Sequence, residues 1–256
     1  MHQSCPCNRR PDPPDNLGVI SAKWSPYGEW MPIVSELMTE DDLGTADPRC
    51  QLVLLLDTST SMGINRGPNL PLAIDELNRG LQTLHTELGE DPVARRRVEL
   101  LVVPFGGSVS PLGSWQMARD WVAPTLTAGG GTPMGEAVLT GLRLATERRR
   151  QCQADGTLTY RPWVFLLTDG EPTDDVTSVP SAIAEAQEKK RAIFWSVAAK
   201  GADVRVLQEF DPTKPALRLD EANWSSLFEW LSASMTQITK AQPDQQVPLD
   251  PWLITA

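Results

Sequence analysis

Three short stretches of this chain carry oxygen donors in patterns that suit a hard metal cation. Asp57-Thr58-Ser59-Thr60-Ser61 sets a carboxylate and two hydroxyls at alternate positions. Thr132 follows three consecutive glycines, and Asp169 precedes Gly170. In an extended segment alternate side chains point the same way, so Asp57, Ser59 and Ser61 can face one ion. Oxygen-only donors favour Mg²⁺, which asks for a near-octahedral shell at about 2.0–2.1 Å and often keeps waters. Mn²⁺ and Ca²⁺ stay open, because cavity size and geometry separate such ions more than ligand identity does. His and Cys are absent from the three stretches, which argues against zinc.

Each piece also has an ordinary explanation. Asp is common where strands end in turns. Thr132, standing before Pro133, can be a helix N-cap. Gly129–Gly131 can be no more than a flexible turn. What favours a metal site of Asp57, Ser59, Ser61, Thr132 and Asp169 is their joint placement.

That placement depends on the elements around them. Four short apolar runs stand out: Gln51–Leu56, Val98–Phe105, Trp163–Leu167 and Ala192–Ala198. Near-continuous runs rich in Val and Leu suit strands covered on both faces, as in a parallel sheet. Between them lie helical patterns. Leu70, Ile74, Leu77, Leu81, Leu84 and Leu88 form one stripe, with Pro71 suited to the first turn. A second helix is expected from about Pro133 to Arg150, a third from near Pro180, and a last from near Trp224. The last carries Leu227, Phe228, Leu231, Met235 and Ile238 as its stripe. Alternating strands and helices imply right-handed crossovers. The expected fold is α/β: a three-layer, doubly wound, mostly parallel sheet with helices on both faces. In such sheets ligands bind at the carboxyl ends of strands. Asp57 and Asp169 follow directly on two of the apolar runs, and Thr132 precedes a helix.

The rest of the chain is less regular. Residues 1–50 read as a Pro-rich extension, flexible to about Asn16 and then partly packed; residues 51–240 form the main domain, and 241–256 a tail. Trp24, Trp30 and Trp252 are expected to pack on the domain, since they would otherwise be exposed. Cys5 and Cys7 form a C-x-C pair that could bind metal with Cys50 or His2, but no second close pair supports it. His85 has no second ligand or nucleophile nearby in sequence and is expected to be structural. Asp174 and Asp175 read as helix-start or rim residues, with a partner-facing role as the alternative.

Composition narrows the partners. The 256 residues carry a net charge of −10, with 41% hydrophobic and 22% charged residues, and a pI near 4.7. An acidic surface repels nucleic acid and anionic membrane, so neither is an expected partner. No run of about 18 apolar residues suggests a membrane span. The first fifteen residues lack the apolar core of a secretory signal, so the expectation is a cytoplasmic protein with free thiols. No phosphate-binding G-x-x-x-x-G-K-[ST] loop occurs, nor a G-x-S-x-G elbow.

The composite pattern Asp-x-Ser-x-Ser, then a distant Thr, then Asp-Gly, resembles the metal-ion-dependent adhesion site of von Willebrand factor A (VWA) domains. The segments LLLDTSTSM, NRGLQTL, GGGTPMGEAV and VFLLTDGEPTDD further resemble the bacterial tellurite-resistance TerY-like branch, over roughly residues 51–240. The resemblance implies that Ser59, Ser61 and Thr132 contact the metal directly while Asp57 and Asp169 act mostly through waters. Neutral direct ligands would leave the ion charge enough to attract a carboxylate from a protein partner. The chain would then be a non-enzymatic interaction module, in a bacterial stress or tellurite-resistance system beside phosphorylation-signalling proteins. Two other readings are a regulatory subunit of an ATPase and a Mg²⁺-dependent hydrolase. An aspartyl phosphatase wants a second acid two residues after the first, where this chain has Ser59. One departure stands in the motif: Thr60 occupies a position often held by Gly, and a β-branched residue restricts the loop there.

Overall fold

The computed structural model describes residues 22–24, 30–32, 47–65, 67, 70–199, 201–219 and 224–243. Its contacts divide the chain into two units, Met1–Thr45 and Ala46–Ala256. In the first unit, β1 (Ala22–Trp24) pairs antiparallel with β2 (Trp30–Pro32), Trp24 opposite Trp30. Cys5, Cys7, the chain up to Asn16, the side chains of Trp24 and Trp30, and the tail with Trp252 lie outside the described residues.

The second unit is built on a six-stranded sheet of order β5-β4-β3-β6-β7-β8. Its strands are β3 (Cys50–Asp57), β4 (Val98–Phe105), β5 (Gln116–Met117), β6 (Trp163–Thr168), β7 (Ile193–Ala199) and β8 (Leu217–Leu219). All neighbours run parallel except β5, which lies antiparallel on the edge of β4. The mostly parallel α/β sheet expected from the sequence is therefore present. The four apolar runs became its four long strands because every residue of β3 and β6 is buried.

Alternate strand residues feed two cores, as the pleat dictates. Leu52, Leu54 and Leu56 of β3 join one core with α1 (Ala73–Glu90) and α6 (Trp224–Lys240). Val53 and Leu55 join the other with α3 (Met134–Ala154), α4 (Val179–Glu188) and α5 (Val204–Phe210). A short α2 (Ala94–Arg97) leads into β4. The two-residue β5, the three-residue β8 and the small helices α2 and α5 are too short to leave a periodic signal in sequence.

The first helix starts later than its apolar stripe suggests. Leu72 is the N-cap, in extended conformation, and its carbonyl accepts from Asp75 N and Glu76 N at 3.1 Å each. Pro71 therefore precedes the helix rather than occupying its first turn. Proline also disfavours helical backbone at the residue before it, which leaves Leu70 outside the helix and 37% exposed.

The contact between α1 and α6 sets one sharp expectation. A Cβ on Gly80 would lie 2.0 Å from Phe228 Cδ2, whereas one on Gly89 would meet nothing within 4 Å. Alanine is favoured over glycine inside a helix by about 0.8–1.0 kcal/mol. At Gly80 overpacking, typically about 1–3 kcal/mol, should override that gain. Gly80→Ala should lower the melting temperature by several degrees and Gly89→Ala should hold or raise it, as differential scanning calorimetry would read. An unchanged melting point for Gly80→Ala would mean that the helices are not seated as described.

Candidate metal centre

From β3 the chain crosses through α1 to β4 on one side, and later through α3 to β6 on the other. The crevice at the carboxyl ends of β3 and β6 is thus a topological switch point, where open α/β sheets bind ligands. Asp57 ends β3, and β6 runs in register beside it with Leu56 opposite Leu167. That register places Thr168 against Asp57: Thr168 Oγ1 donates to Asp57 Oδ2 at 2.5 Å. The other carboxylate oxygen, Asp57 Oδ1, accepts from Ser59 N at 2.8 Å and folds the loop back on itself.

The segment after Asp57 departs from the extended geometry expected of it. Ser59 is extended, but Thr60–Gly63 forms a 3-10 helix of which Ser59 is the N-cap. Ser61 therefore reaches the site through a helical turn, not through strand alternation. Convergence survives the change. Ser59 Oγ and Ser61 Oγ lie 2.9 Å apart, and Ser61 Oγ donates to Asp169 Oδ1 at 2.6 Å. Ser59 makes no side-chain cap bond, so its hydroxyl serves the cluster rather than the helix.

Thr132 joins from the third loop. The ordinary reading, that it caps α3, does not describe it: the N-cap is Pro133, with no side-chain cap bond. Its hydroxyl faces the other loops instead. A Cβ built on Gly170 would stand 3.4 Å from Thr132 Oγ1, 3.5 Å from Ser61 Oγ and 3.8 Å from Asp57 Oδ2. One point on the third loop therefore lies within reach of oxygens from the other two, and glycine keeps that space open. Asp57, Ser59, Thr132 and Asp169 are 0%, 2%, 5% and 5% exposed, so the donors are set in the crevice wall and not on its rim.

The electrostatics suit a cation. Burial pushes the Asp57 carboxyl above its ordinary range, and the nearby Asp169 charge adds to that push. Hydrogen bonds from Ser59 and Thr168 offset part of it. Two carboxylates at a desolvated site are costly without a positive charge to answer them. Three hydroxyls and two carboxylates are hard oxygen donors, the set that divalent hard cations take. Among the described residues no group of three or more His, Cys, Asp or Glu is placed to hold a metal. Cys50 opens β3, at the end opposite Asp57, and burial pushes its thiol up to about 12. It stays protonated near neutral pH, unlike a thiolate ligand.

The glycines are structural rather than slack. Gly130 O accepts from both Thr60 N and Thr60 Oγ1 at 3.0 Å. The β-branched Thr60 thus ties the Asp-x-Ser-x-Ser loop to the glycine loop. Gly129 N donates to Thr58 O at 2.7 Å and Gly107 N to Gly131 O at 2.8 Å.

Several supporting residues are not singled out by sequence reading. Thr168, beside Asp57, looks like the last apolar-run neighbour of Asp169. Gly106 and Gly107 follow β4 outside the three oxygen-rich stretches. Thr173 bonds to the Thr132 loop, and its place in the acidic GEPTDD stretch is the one signal that could have marked it; Asp174, read from sequence as a helix-start or rim residue, does hold a helix start, that of α3. His85, by contrast, is half-buried on α1 and packs edge-on against Trp121, ring centres 6.0 Å apart.

The family model of the von Willebrand factor type A domain matches residues 51–230. The conserved hypothetical protein BatB from Bacteroides thetaiotaomicron aligns with a TM-score of 0.51 at 19% identity, over 75% of this chain and 100% of that one. Manganese-loaded TRAP protein from Plasmodium vivax aligns with a TM-score of 0.50 at 16% identity, over 72% of this chain and 73% of that one. The pilus adhesin SpaC from Lactobacillus rhamnosus GG aligns with a TM-score of 0.54 at 16% identity, over 74% of this chain. This chain spans 31% of that adhesin's length. At these identities the likeness is one of fold. No curated protein matches the sequence.

Proposed function

The chain belongs to the von Willebrand factor type A domain family, and from that premise we propose that it is a non-enzymatic interaction module. In this reading Ser59, Ser61 and Thr132 hold a divalent cation, Mg²⁺ first and Mn²⁺ or Ca²⁺ as close substitutes, for a carboxylate of a partner protein. The bound cation supplies a positive centre with room for one more oxygen ligand. The observation that carries the reading is the division of labour among the donors. Asp57 Oδ1 and Oδ2 are already engaged by Ser59 N and Thr168 Oγ1, so its charge acts from behind the hydroxyls. Neutral groups in front and carboxylates behind leave net positive charge facing outward. The manganese carried by the TRAP structure agrees with that chemistry.

The same contacts speak against a hydrolase. A nucleophilic aspartate must reach its substrate, whereas Asp57 is fully buried behind the hydroxyls and accepts at both oxygens from its own loop and from Thr168. The narrower placement, in a bacterial stress or tellurite-resistance system beside phosphorylation-signalling proteins, rests on the resemblance of LLLDTSTSM, NRGLQTL, GGGTPMGEAV and VFLLTDGEPTDD to the TerY-like branch.

Pull-downs with the full chain in Mg²⁺ and in EDTA test the proposal. A partner recovered in Mg²⁺ and lost in EDTA, with its binding abolished by substitution of one acidic side chain, is the expected result. Equal recovery in both buffers would remove the cation from the account. Recovery of an ATPase carrying the phosphate-binding loop that this chain lacks would shift the reading to a regulatory subunit.

A further inference from the structure

We infer that Thr173 and Asp174 form a clamp that positions Thr132 for the cation; the inference rests on the metal site proposed above. Thr132 follows three glycines and precedes a proline, so besides the bond from Met134 N to its carbonyl at 2.7 Å little in its own segment fixes its backbone. Thr173 does so at both polar groups. Thr132 N donates to Thr173 Oγ1 at 2.9 Å, and Thr173 N donates to Thr132 O at 2.9 Å. The next residue holds the start of α3: Asp174 Oδ1 accepts from Gly135 N at 3.0 Å and Oδ2 from Glu136 N at 2.8 Å. Pro133 has no side-chain oxygen with which to cap that helix. Asp174 supplies the missing acceptors from another loop, where a negative charge also suits the helix N-terminus.

Local sequence makes this approach possible. A Cβ on Gly135 would lie 2.4 Å from Asp175 O, and one on Gly131 would lie 3.1 Å from Thr173 Oγ1. Any larger residue at Gly135 would push the two loops apart. Thr173 and Asp174 sit on the same loop as Asp169. The clamp therefore joins the loop that brings Asp169 to the loop that brings Thr132. Two donors delivered by different loops are held at a fixed separation, and neither clamp residue needs to touch the ion. A role in stability alone is less suited to it, because α3 is already seated on the sheet: a Cβ on Gly141 would meet Leu55 at 2.8 Å and Val164 at 3.2 Å.

Thr173→Val keeps the shape but removes the acceptor for Thr132 N–H; Thr173→Ser keeps the acceptor. Mn²⁺ titration calorimetry on the full chain, with amide exchange at Thr132, Gly135 and Glu136 in metal-free protein, tests the clamp. Thr173→Val should bind Mn²⁺ about 10–100-fold more weakly, the usual cost of losing a group that orients a ligand. It should also exchange faster at Thr132 while its metal-free melting point stays near that of wild type. Thr173→Ser should restore both readouts. Asp174→Asn, which leaves one good acceptor for the helix start, is a milder variant that carries the same test if the valine variant does not fold. Wild-type Mn²⁺ affinity in Thr173→Val or Asp174→Asn would overturn the clamp while leaving the metal site standing. Failure of the wild-type chain itself to bind Mn²⁺ would overturn the metal reading and the clamp with it.

Discussion

Asp57→Asn should weaken Mg²⁺ or Mn²⁺ binding by about 10–100-fold, the range for groups that act on a metal from behind its direct ligands. It should do so without lowering the stability of the metal-free protein. The second half separates two accounts of this residue. If Asp57 only ended a strand and capped a loop, asparagine would be a modest loss. As a buried carboxylate raised by desolvation and by Asp169, it is costly to keep charged when no cation is present. Asparagine removes that cost and keeps an acceptor for Ser59 N. Metal-free melting curves and Mn²⁺ titrations of the same variant measure the two halves. Unchanged Mn²⁺ affinity, or a sharp fall in metal-free stability, would assign Asp57 a purely structural role.

Gly130→Ala should be severely damaging, although it adds a single methyl at the site. Gly130 has φ of +81°, where a side chain costs on the order of 1–2 kcal/mol. Its Cβ would lie 2.6 Å from Gly107 N, 2.7 Å from Gly107 Cα and 2.8 Å from Gly106 C. Those are backbone atoms and cannot rotate away, so overpacking of about 1–3 kcal/mol adds to the strain. The loss is local in origin but not in effect. Gly130 O holds Thr60, and Thr60 leads the turn that aims Ser61. Weaker divalent binding should therefore accompany a melting point lowered by several degrees. Gly113, also at positive φ but with nothing within 4 Å of its Cβ, is the control. Its alanine variant should pay only the backbone strain and leave metal affinity intact.

The strands were legible because burial on both faces writes a continuous apolar run. β3 and β6 needed no finer signal, and their ends placed Asp57 and Asp169 at one rim. The helix boundary at Leu72 was not legible from the stripe, because Leu70 continues the periodicity while Pro71 breaks the backbone. The short edges β5 and β8 leave too few residues for any pattern. At the site, the five oxygen donors could be named from type and spacing. Their manner of convergence could not, since the turn from Ser59 into the 3-10 helix depends on bonds to Gly130, seventy positions away. Thr168 and Thr173 escaped notice for the same reason, and Asp174 was legible as a helix-start residue but not as one that serves α3. Their partners are close in space and distant along the chain, and a hydroxyl in a loop carries no mark of what it will bond.

The central claim is that hydroxyls from two loops, backed by carboxylates from the first and a third, hold one divalent cation. An anomalous difference map from a crystal of this chain grown with Mn²⁺ tests it most directly. The predicted result is a single strong peak about 2 Å from Ser59 Oγ, Ser61 Oγ and Thr132 Oγ1. Asp57 and Asp169 should stand one water further out, and an oxygen from a neighbouring carboxylate or a water should complete the shell. A peak elsewhere on the molecule, or none at the crevice at saturating Mn²⁺, would contradict the account.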